Sequence, residues 1–520
     1  MRLHSLRELD SSEGTVQLHD ATGDGRLILN PTPDPNDPND PLRWPIWKKH
    51  ICFASICTLT FLTNYSIGGL APAFYHLSLQ FGKTQTETSG LLIWPILILG
   101  LFNFVWVPLG NFFGKRPVFV FASLLLCMCC LWGAVAQSFQ SLLWSNIIAA
   151  VAGSSTEALG SSVVNDLYFL HQRGTMMGIY MISISGGNSI GPLVCGFVIS
   201  SLSWRWHKWI SFILVAINFL AIVLFCSETR YKRFKTCTPA SSAVPSNENL
   251  GRSVSDVAKE VSASDQYHSK PVSVPKKTWI QQMSLRSGIG DTNLVKLFCR
   301  PLPMIVYPAV IFAFLCYAVN VAWVSAVNIL SSFVLQAPPY NWKADINGLI
   351  NIPGFLGNVI GSWLGGWLVD RYSNWRSKEN GGIFEPESRL HLLIIPALVS
   401  SAGCLLFGYG VGKHLHWAAM FFGYGMLSVG LTFVPVVTTT YVSDSYLPVN
   451  ADALLLVNGL KNVVAFGFLY GVVPWVSEAG YIDVFGTQAG IYVGIMFLAI
   501  PLIISGQRIR HKSGRWRIIL

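Results

Sequence analysis

The chain has little charge. Of its 520 residues, 12% are Asp, Glu, Lys or Arg, about half of the roughly 25% usual in a soluble domain. That shortage excludes an ordinary water-facing surface over most of the length. Metal-ligand spacings are absent. The eleven Cys fall largely inside apolar runs (Cys52, Cys57, Cys127, Cys129, Cys130, Cys195, Cys316 and Cys404), where a thiol acts as a small hydrophobe rather than a disulfide partner. No G-x-x-x-x-G-K-[ST] loop occurs, which removes nucleotide binding of that kind. The stretch SSTEALGSS contains no nucleophile elbow and has no accompanying His–carboxylate set, so an enzyme is not expected. Residues 1–40 are polar and rich in Pro and Asp, unlike the apolar core of a signal peptide. No cofactor is implied. The net charge of +10 sits in tails and loops beside apolar runs, a placement that argues against nucleic acid as partner.

What is abundant is apolar sequence in long runs. Hydrophobic residues make up 52% of the chain, mean hydropathy is +0.46, and runs of about 20 residues, enough to cross a bilayer, recur throughout. Spans are predicted near 51–75, 87–111, 117–136, 142–164, 175–200 and 206–227, then near 303–333, 345–369, 390–410, 416–441, 453–475 and 486–507. The expectation is an all-α membrane protein of twelve transmembrane helices in two six-helix bundles, 51–227 and 303–507, its immediate partner the lipid bilayer. A polar tail (1–50), a Ser/Lys/Pro-rich linker (228–302) too polar to build a core and a basic tail (508–520) complete the division. Arg43, Trp44, Trp47, Lys48 and Lys49 read as an interfacial anchor. Fifteen Lys and Arg fall at 43–49, 115–116, 173, 371–389 and 508–517, against five (Lys83, Arg205, Lys208, Lys343, Lys413) in the alternate loops. The positive-inside rule then puts both termini and the linker in the cytoplasm.

The most informative polar residue is Glu157. It lies inside the fourth run with no other ionisable residue within eight positions on either side. An acid at mid-bilayer depth costs about 3 kcal/mol on insertion scales and usually faces water or a protein interior. A carboxyl group in low dielectric favours its neutral form, so such a residue can be neutral when dry and ionised when its side opens to water. The alternative is a buried, hydrogen-bonded Glu that serves packing. Lys461, in span eleven, either opposes Glu157 across a central cavity or snorkels to a span end. Asn64 and Tyr65 in span one, Asn188 in span five, Asn320 and Asn328 in span seven, and Asn458 and Asn462 in span eleven are polar at membrane depth. Lipid-facing amides are costly, so some of these line a cavity; Asn64, Tyr65, Asn188 and Asn458 are the candidates.

Twelve spans in halves joined by a long linker resemble the major facilitator superfamily. PLGNFFGKRPV, between spans two and three, resembles its loop motif G-x-L-[AS]-D-R-x-G-R-R-P: Gly114, Lys115, Arg116 and Pro117 match, Gly110 precedes them, and Asn111 and Phe112 replace the usual Asp and Arg. GWLVDR in the second half keeps Gly366, Leu368, Asp370 and Arg371. NGGIFEPESRL, NDLYFLHQRG, DPNDPLRWP and VVPWVSEAG are similar to segments of fungal drug:proton antiporters and of related fungal polyamine and cation transporters. GNSIGPLVCG in span five resembles the antiporter motif G-x-x-x-G-P-x-x-G-G, with Gly187, Gly191, Pro192 and Gly196 in place; it serves either gating, through a bend at the proline, or close helix packing. The Arg that antiporters carry in span four is Asn146 here, which leaves Glu157 as the candidate proton or cation site. Asp166, Arg173, Asp370, Arg371, Asp444 and Asp452 stand near span ends, either as gate salt bridges or as solvated charges, and for Asp370–Arg371 the motif favours the gate.

The resemblance implies a monomeric, proton-coupled secondary transporter in a fungal-type plasma membrane, with the site between the halves. Three readings follow: export of a drug-like compound or secondary metabolite, import of polyamines or other organic cations, and a transport-inactive receptor.

Overall fold

In the computed structural model the described residues are 16–17, 37–231, 276–284, 294–338, 340–380, 383–446 and 450–514. Most of the expected linker, residues 1–15 and 18–36 of the first tail and 515–520 of the last therefore lie outside the described residues. Eleven helical segments are long and apolar enough to cross a membrane. The last of these, Asp452–Arg510, runs 59 residues, more than twice the ~20 a bilayer requires. It breaks at Gly480, where φ is 81° and ψ 166°. Only glycine adopts that conformation readily, and the break divides the segment into spans eleven and twelve. The described residues thus form twelve spans, and the protein is a multi-pass membrane protein.

The first six spans are Ile46–Gly68, Gln85–Phe113, Lys115–Val135, Phe139–Leu167, Leu170–Ser201 and Trp204–Phe225. In the second half, Pro308–Gln336, Ala344–Glu379, Ile394–Gly412 and Trp417–Ser445 precede the broken pair. Phe121, Ile217, Leu398 and Ile504 are among many large apolar side chains left exposed, the outer belt a bilayer would cover. The only strands among the described residues are Val16–Gln17 and Ile383–Phe384, paired antiparallel.

Within the first half, span one packs on span five, span two on span four, and span three on span six. The second half repeats the scheme: span eight packs on span ten, and span nine on span twelve, where Gly408 lies against Phe485. The Trp323 and Phe468 rings, 5.1 Å apart, join spans seven and eleven. This correspondence is the expected pair of six-helix bundles. Two seams hold the halves together. Spans two and eleven meet at Gly100, where a Cβ would lie 2.8 Å from Gly459 O, and spans five and eight meet at Gly196, where one would lie 2.6 Å from Ala344 O.

Two expectations are corrected. Lys208 is no loop residue: it lies inside span six and is 2% exposed, because span six begins at Trp204, capped by the Ser203 hydroxyl on Arg205 N. The polar connection expected over 165–174 shrinks to Tyr168 and Phe169, since both flanking helices run further than hydropathy alone suggests.

Candidate transport site

Span four presents Glu157 between hydroxyl residues that do not compete for it. Ser154, Ser155 and Thr156 donate to Val151 O, Ala152 O and Gly153 O of their own helix, the local closure usual for such residues inside a helix. The carboxylate is left to the opposite half. Lys461 Nζ lies 2.9 Å from Glu157 Oε2, and Asn462 Nδ2 donates to the same oxygen at 2.9 Å. Lys461 also donates to Asn462 Oδ1 at 3.2 Å and stands 4.5 Å over the Tyr317 ring. Asn458 Nδ2 donates to the Glu157 backbone carbonyl at 3.0 Å. Glu157 is 5% exposed and Lys461 2%. Of the two placements open for Lys461, the structure has the one across the cavity from Glu157. A buried ion pair holds only when further hydrogen bonds satisfy its members, and Asn462 supplies them to both.

The pair lies on the wall of a cavity between the halves. Its polar lining is Asn64, Ser185 and Asn188 from the first half, and Tyr317, Ser325 and Asn328 from the second. Ile67, Leu92, Ile96 and Leu99 form an apolar side. Besides the tyrosine, its only ionisable lining groups among the described residues are the carboxylate and the ammonium, so the cavity has no net charge.

The end at which span one begins, the proximal end, holds a second set of buried charges. Arg389 Nη1 donates to Asp370 Oδ1 at 2.6 Å, and its Nε to Asp444 Oδ2 at 3.1 Å. Arg173 of the first half reaches Asp444 at 4.0 Å. Asp370 Oδ2 accepts the Thr175 backbone N–H at 3.0 Å, and Gly174 lies so close to this carboxylate that any Cβ would collide with it. Span eight has a π-turn at Leu364–Leu368, just before Asp370, and wide turns of this kind recur at functional sites. At the distal end, Gln336 Nε2 donates to Pro72 O at 2.8 Å. The halves touch at both ends of the cavity.

Residues 56–451 match the family model of the Major Facilitator Superfamily. The chain belongs to this superfamily. It is similar to an uncharacterized MFS-type transporter of Schizosaccharomyces pombe, at 26% identity over 95% of this chain and 89% of that protein. It is also similar to the efflux pump radE of Floropilus chiversii, at 23% identity over 92% and 84%. Among solved structures, the proton:xylose symporter XylE superposes with a TM-score of 0.59 at 12% identity, covering 88% of this chain and 96% of that one. Superfamily members are transporters, and this chain is a membrane transporter rather than an enzyme.

Placed on the superfamily fold, the remaining sequence candidates divide. Asn64 and Asn188 line the cavity and touch, Asn188 Nδ2 donating to Asn64 Oδ1 at 3.4 Å. Tyr65 does not: it points away from the cavity and stacks on His207 at 4.8 Å, because one residue along a helix turns a side chain about 100°. Arg371 is no partner of Asp370. It is exposed, its guanidinium 5.6 Å over the Trp367 ring, and Arg389 fills the role instead. Asp166 pairs with Lys115 at 2.5 Å, and Asp452 with Arg300 at 3.0 Å. Gly187 and Gly191 lie against span one, at Phe61 O and Tyr65 O, while Gly196 and Pro192 meet span eight at Ala344 and Gly348. In this structure the span-five motif is a packing surface.

In the loop between spans two and three, Gly114 has φ 106°, and Gly110 gives Leu159 of span four room. The Asp and Arg missing from the loop motif are matched by groups from beyond span six. The Glu228 carboxylate accepts the Lys115 and Arg116 backbone N–H groups at 3.1 and 3.2 Å, and Arg230 donates to Asn111 O and Phe112 O. Arg116 itself donates to Cys226 O at 2.8 Å. Between spans four and five, burial pushes the Tyr168 phenol up, and its oxygen lies 3.0 Å from His50 Nδ1. The residues missed from sequence are Arg389, Tyr317, Ser185 and Ser325. Arg389 had a signal, as the one cation in the family-like stretch NGGIFEPESRL; the others had none.

Proposed function

We propose that the protein is a proton-coupled secondary transporter that exports a small neutral or zwitterionic organic molecule, a drug-like compound or secondary metabolite, by alternating access. The plasma membrane as its address, termini and linker in the cytoplasm, and the bundle limits 51–227 and 303–507 belong to the same proposal. The excess of Lys and Arg at the proximal end supports that orientation.

The observation that carries this reading is the Glu157–Lys461 ion pair bridging the halves. A proton taken up at Glu157 Oε2 neutralises the carboxylate and ends its attraction for Lys461. While ionised, the carboxylate accepts the donor groups of a bound substrate; the proton removes that acceptor, so the substrate leaves as the halves lose their central ionic tie. Loss of the proton on the opposite side restores the carboxylate for the next substrate. Proton and substrate thus compete through one carboxylate, the logic of exchange.

A second reading, uptake of an organic cation, draws support from Glu157 as the carboxylate in the cavity lining. Against it stands Lys461, which already neutralises that carboxylate. The test uses yeast cells carrying the protein or Glu157→Gln at matched surface levels, loaded with labelled cycloheximide or offered labelled spermidine at external pH 5 and 7. Export predicts less retained cycloheximide with the native protein, more so at pH 5, and no difference from empty cells with the variant. Spermidine accumulation that requires both the protein and Glu157 would establish import and sink the export reading.

A further inference from the structure

Lys208 is a buried cation in the wall of the first half, away from Glu157. Its Nζ donates to Ser66 O at 2.8 Å and to Asn146 Oδ1 at 2.7 Å. No carboxylate among the described residues stands within ion-pair distance of it. Its titratable neighbours are the thiols of Cys129 and Cys130 on span three, Cys195 on span five, and His207 beside it on span six, which stacks on Tyr65 of span one. Gly133 of span three packs beside the lysine stem: a Cβ there would lie 3.1 Å from Ser145 Oγ and 3.4 Å from Lys208 Cδ. An ionisable group kept at membrane depth without a counter-ion is costly, and its retention points to function.

The local geometry shows what the ammonium holds. Span one stops being helical at Gly68 and passes through a short 3-10 turn, Ala71–Ala73. The last four carbonyls of a helix have no intrahelical donor. Gly69 N serves Tyr65 O, and Lys208 serves Ser66 O. A cation is favoured at such a helix end by the backbone dipoles. The same turn carries Asn64 and Gly68 to the cavity. The other acceptor, Asn146, occupies the span-four position where the family resemblance expects an arginine. The pocket has one cation, and span six supplies it.

We propose that Lys208 is a positioning residue for transport. Its Nζ, bonded to Ser66 O and Asn146 Oδ1, ties the broken end of span one to span four, and so sets the cavity wall at Asn64 and Gly68. The proposal needs transport but is independent of its direction and of the role of Glu157.

Two variants of the full-length protein test it: Lys208→Met, which keeps the bulk, and the double variant Lys208→Asn with Asn146→Lys, which moves the charge to span four. In detergent, hydrogen exchange over residues 65–75 should rise about tenfold in Lys208→Met, the scale expected for a buried cation at a helix end, and return in the double variant. In cells, cycloheximide export should fall to background in Lys208→Met and recover in the double variant. Unchanged exchange in Lys208→Met overturns the proposal. So does native export by Lys208→Met, or a folded double variant that fails to recover. If the native protein itself does not move cycloheximide, the export reading fails for that compound, and the exchange result still decides the tether.

Discussion

Replacing Glu157 by Gln keeps the shape of the side chain and removes its charge. Lys461 would then be left 2% exposed with neutral partners alone: the new side chain's amide oxygen, that of Asn462 at 3.2 Å and the Tyr317 ring. Breaking one member out of a buried pair costs about 3–5 kcal/mol, while replacing both members by apolar or neutral groups is often close to neutral. Glu157→Gln and Lys461→Met should therefore each lower stability by about 3 kcal/mol, and the double variant by about 1, a coupling of roughly 5 kcal/mol in the cycle. The buried cysteines, Cys195, Cys316 and Cys404 among them, provide the assay: a thiol-reactive dye reports unfolding of the purified protein as temperature rises, with exposed Cys299 as the constant background. The expected order of midpoints is native, then the double variant, then the two singles together at the bottom. A double variant no more stable than the lower single would refute the pair as a coupled unit and remove the basis for a proton switch there.

At the proximal end, Arg389→Gln strands Asp370 and Asp444 as buried like charges, whereas Arg371→Ala removes a solvated one. A cysteine placed at Ser362, beneath the Arg389 set, should react with an impermeant maleimide about tenfold faster in the first variant, as expected for a loss of about 1.4 kcal/mol from the closed form, and at the native rate in the second. Gly187→Val forces a Cβ to within 2.3 Å of Phe61 O, a collision with backbone that has no flexible side chain to yield. Monodisperse protein on size exclusion should fall sharply, while Gly471→Val, with open space at its Cβ, should leave the yield unchanged.

The spans were legible because bilayer thickness sets a length and a polarity that no other environment imposes. Their division into two sets of six was legible from the polar segment between them, and which span packs on which was not. Glu157 and Lys461 stood out for a similar reason, since charge inside an apolar run has few tolerable positions. Their mutual contact did not, because 304 residues separate them and nothing in sequence reports distance across a cavity. Tyr65 was misread because a side chain's rotation about its helix decides between cavity and core, and span one is apolar nearly all round. Arg371 was read together with Asp370 because the loop motif places them side by side, although adjacent residues on a helix face different ways; the cation that reaches Asp370 is Arg389, 19 residues on. Glu228, Arg230 and Lys208 share one feature: each supplies, from a different helix or connection, a charge at a place where the motif comparison finds one lost.

The seams at Gly100–Gly459 and Gly196–Ala344 carry a consequence for speed. At Gly196 the neighbours are the Ala344 and Gly348 backbone alone, and at the Gly100–Gly459 contact the backbone is joined by the Asn462, Val463 and Phe104 side chains, so the span five–eight seam has no side chains that must change rotamer when the halves part. Such surfaces can separate and re-form like two smooth plates, losing dispersion contacts gradually rather than crossing a row of steric teeth. The rate of the conformational cycle is then governed by how closely these plates meet. One added methyl group at Gly196, against the Ala344 carbonyl, would act as a spacer, changing turnover while the Glu157–Lys461 and Arg389 ion pairs kept their chemistry.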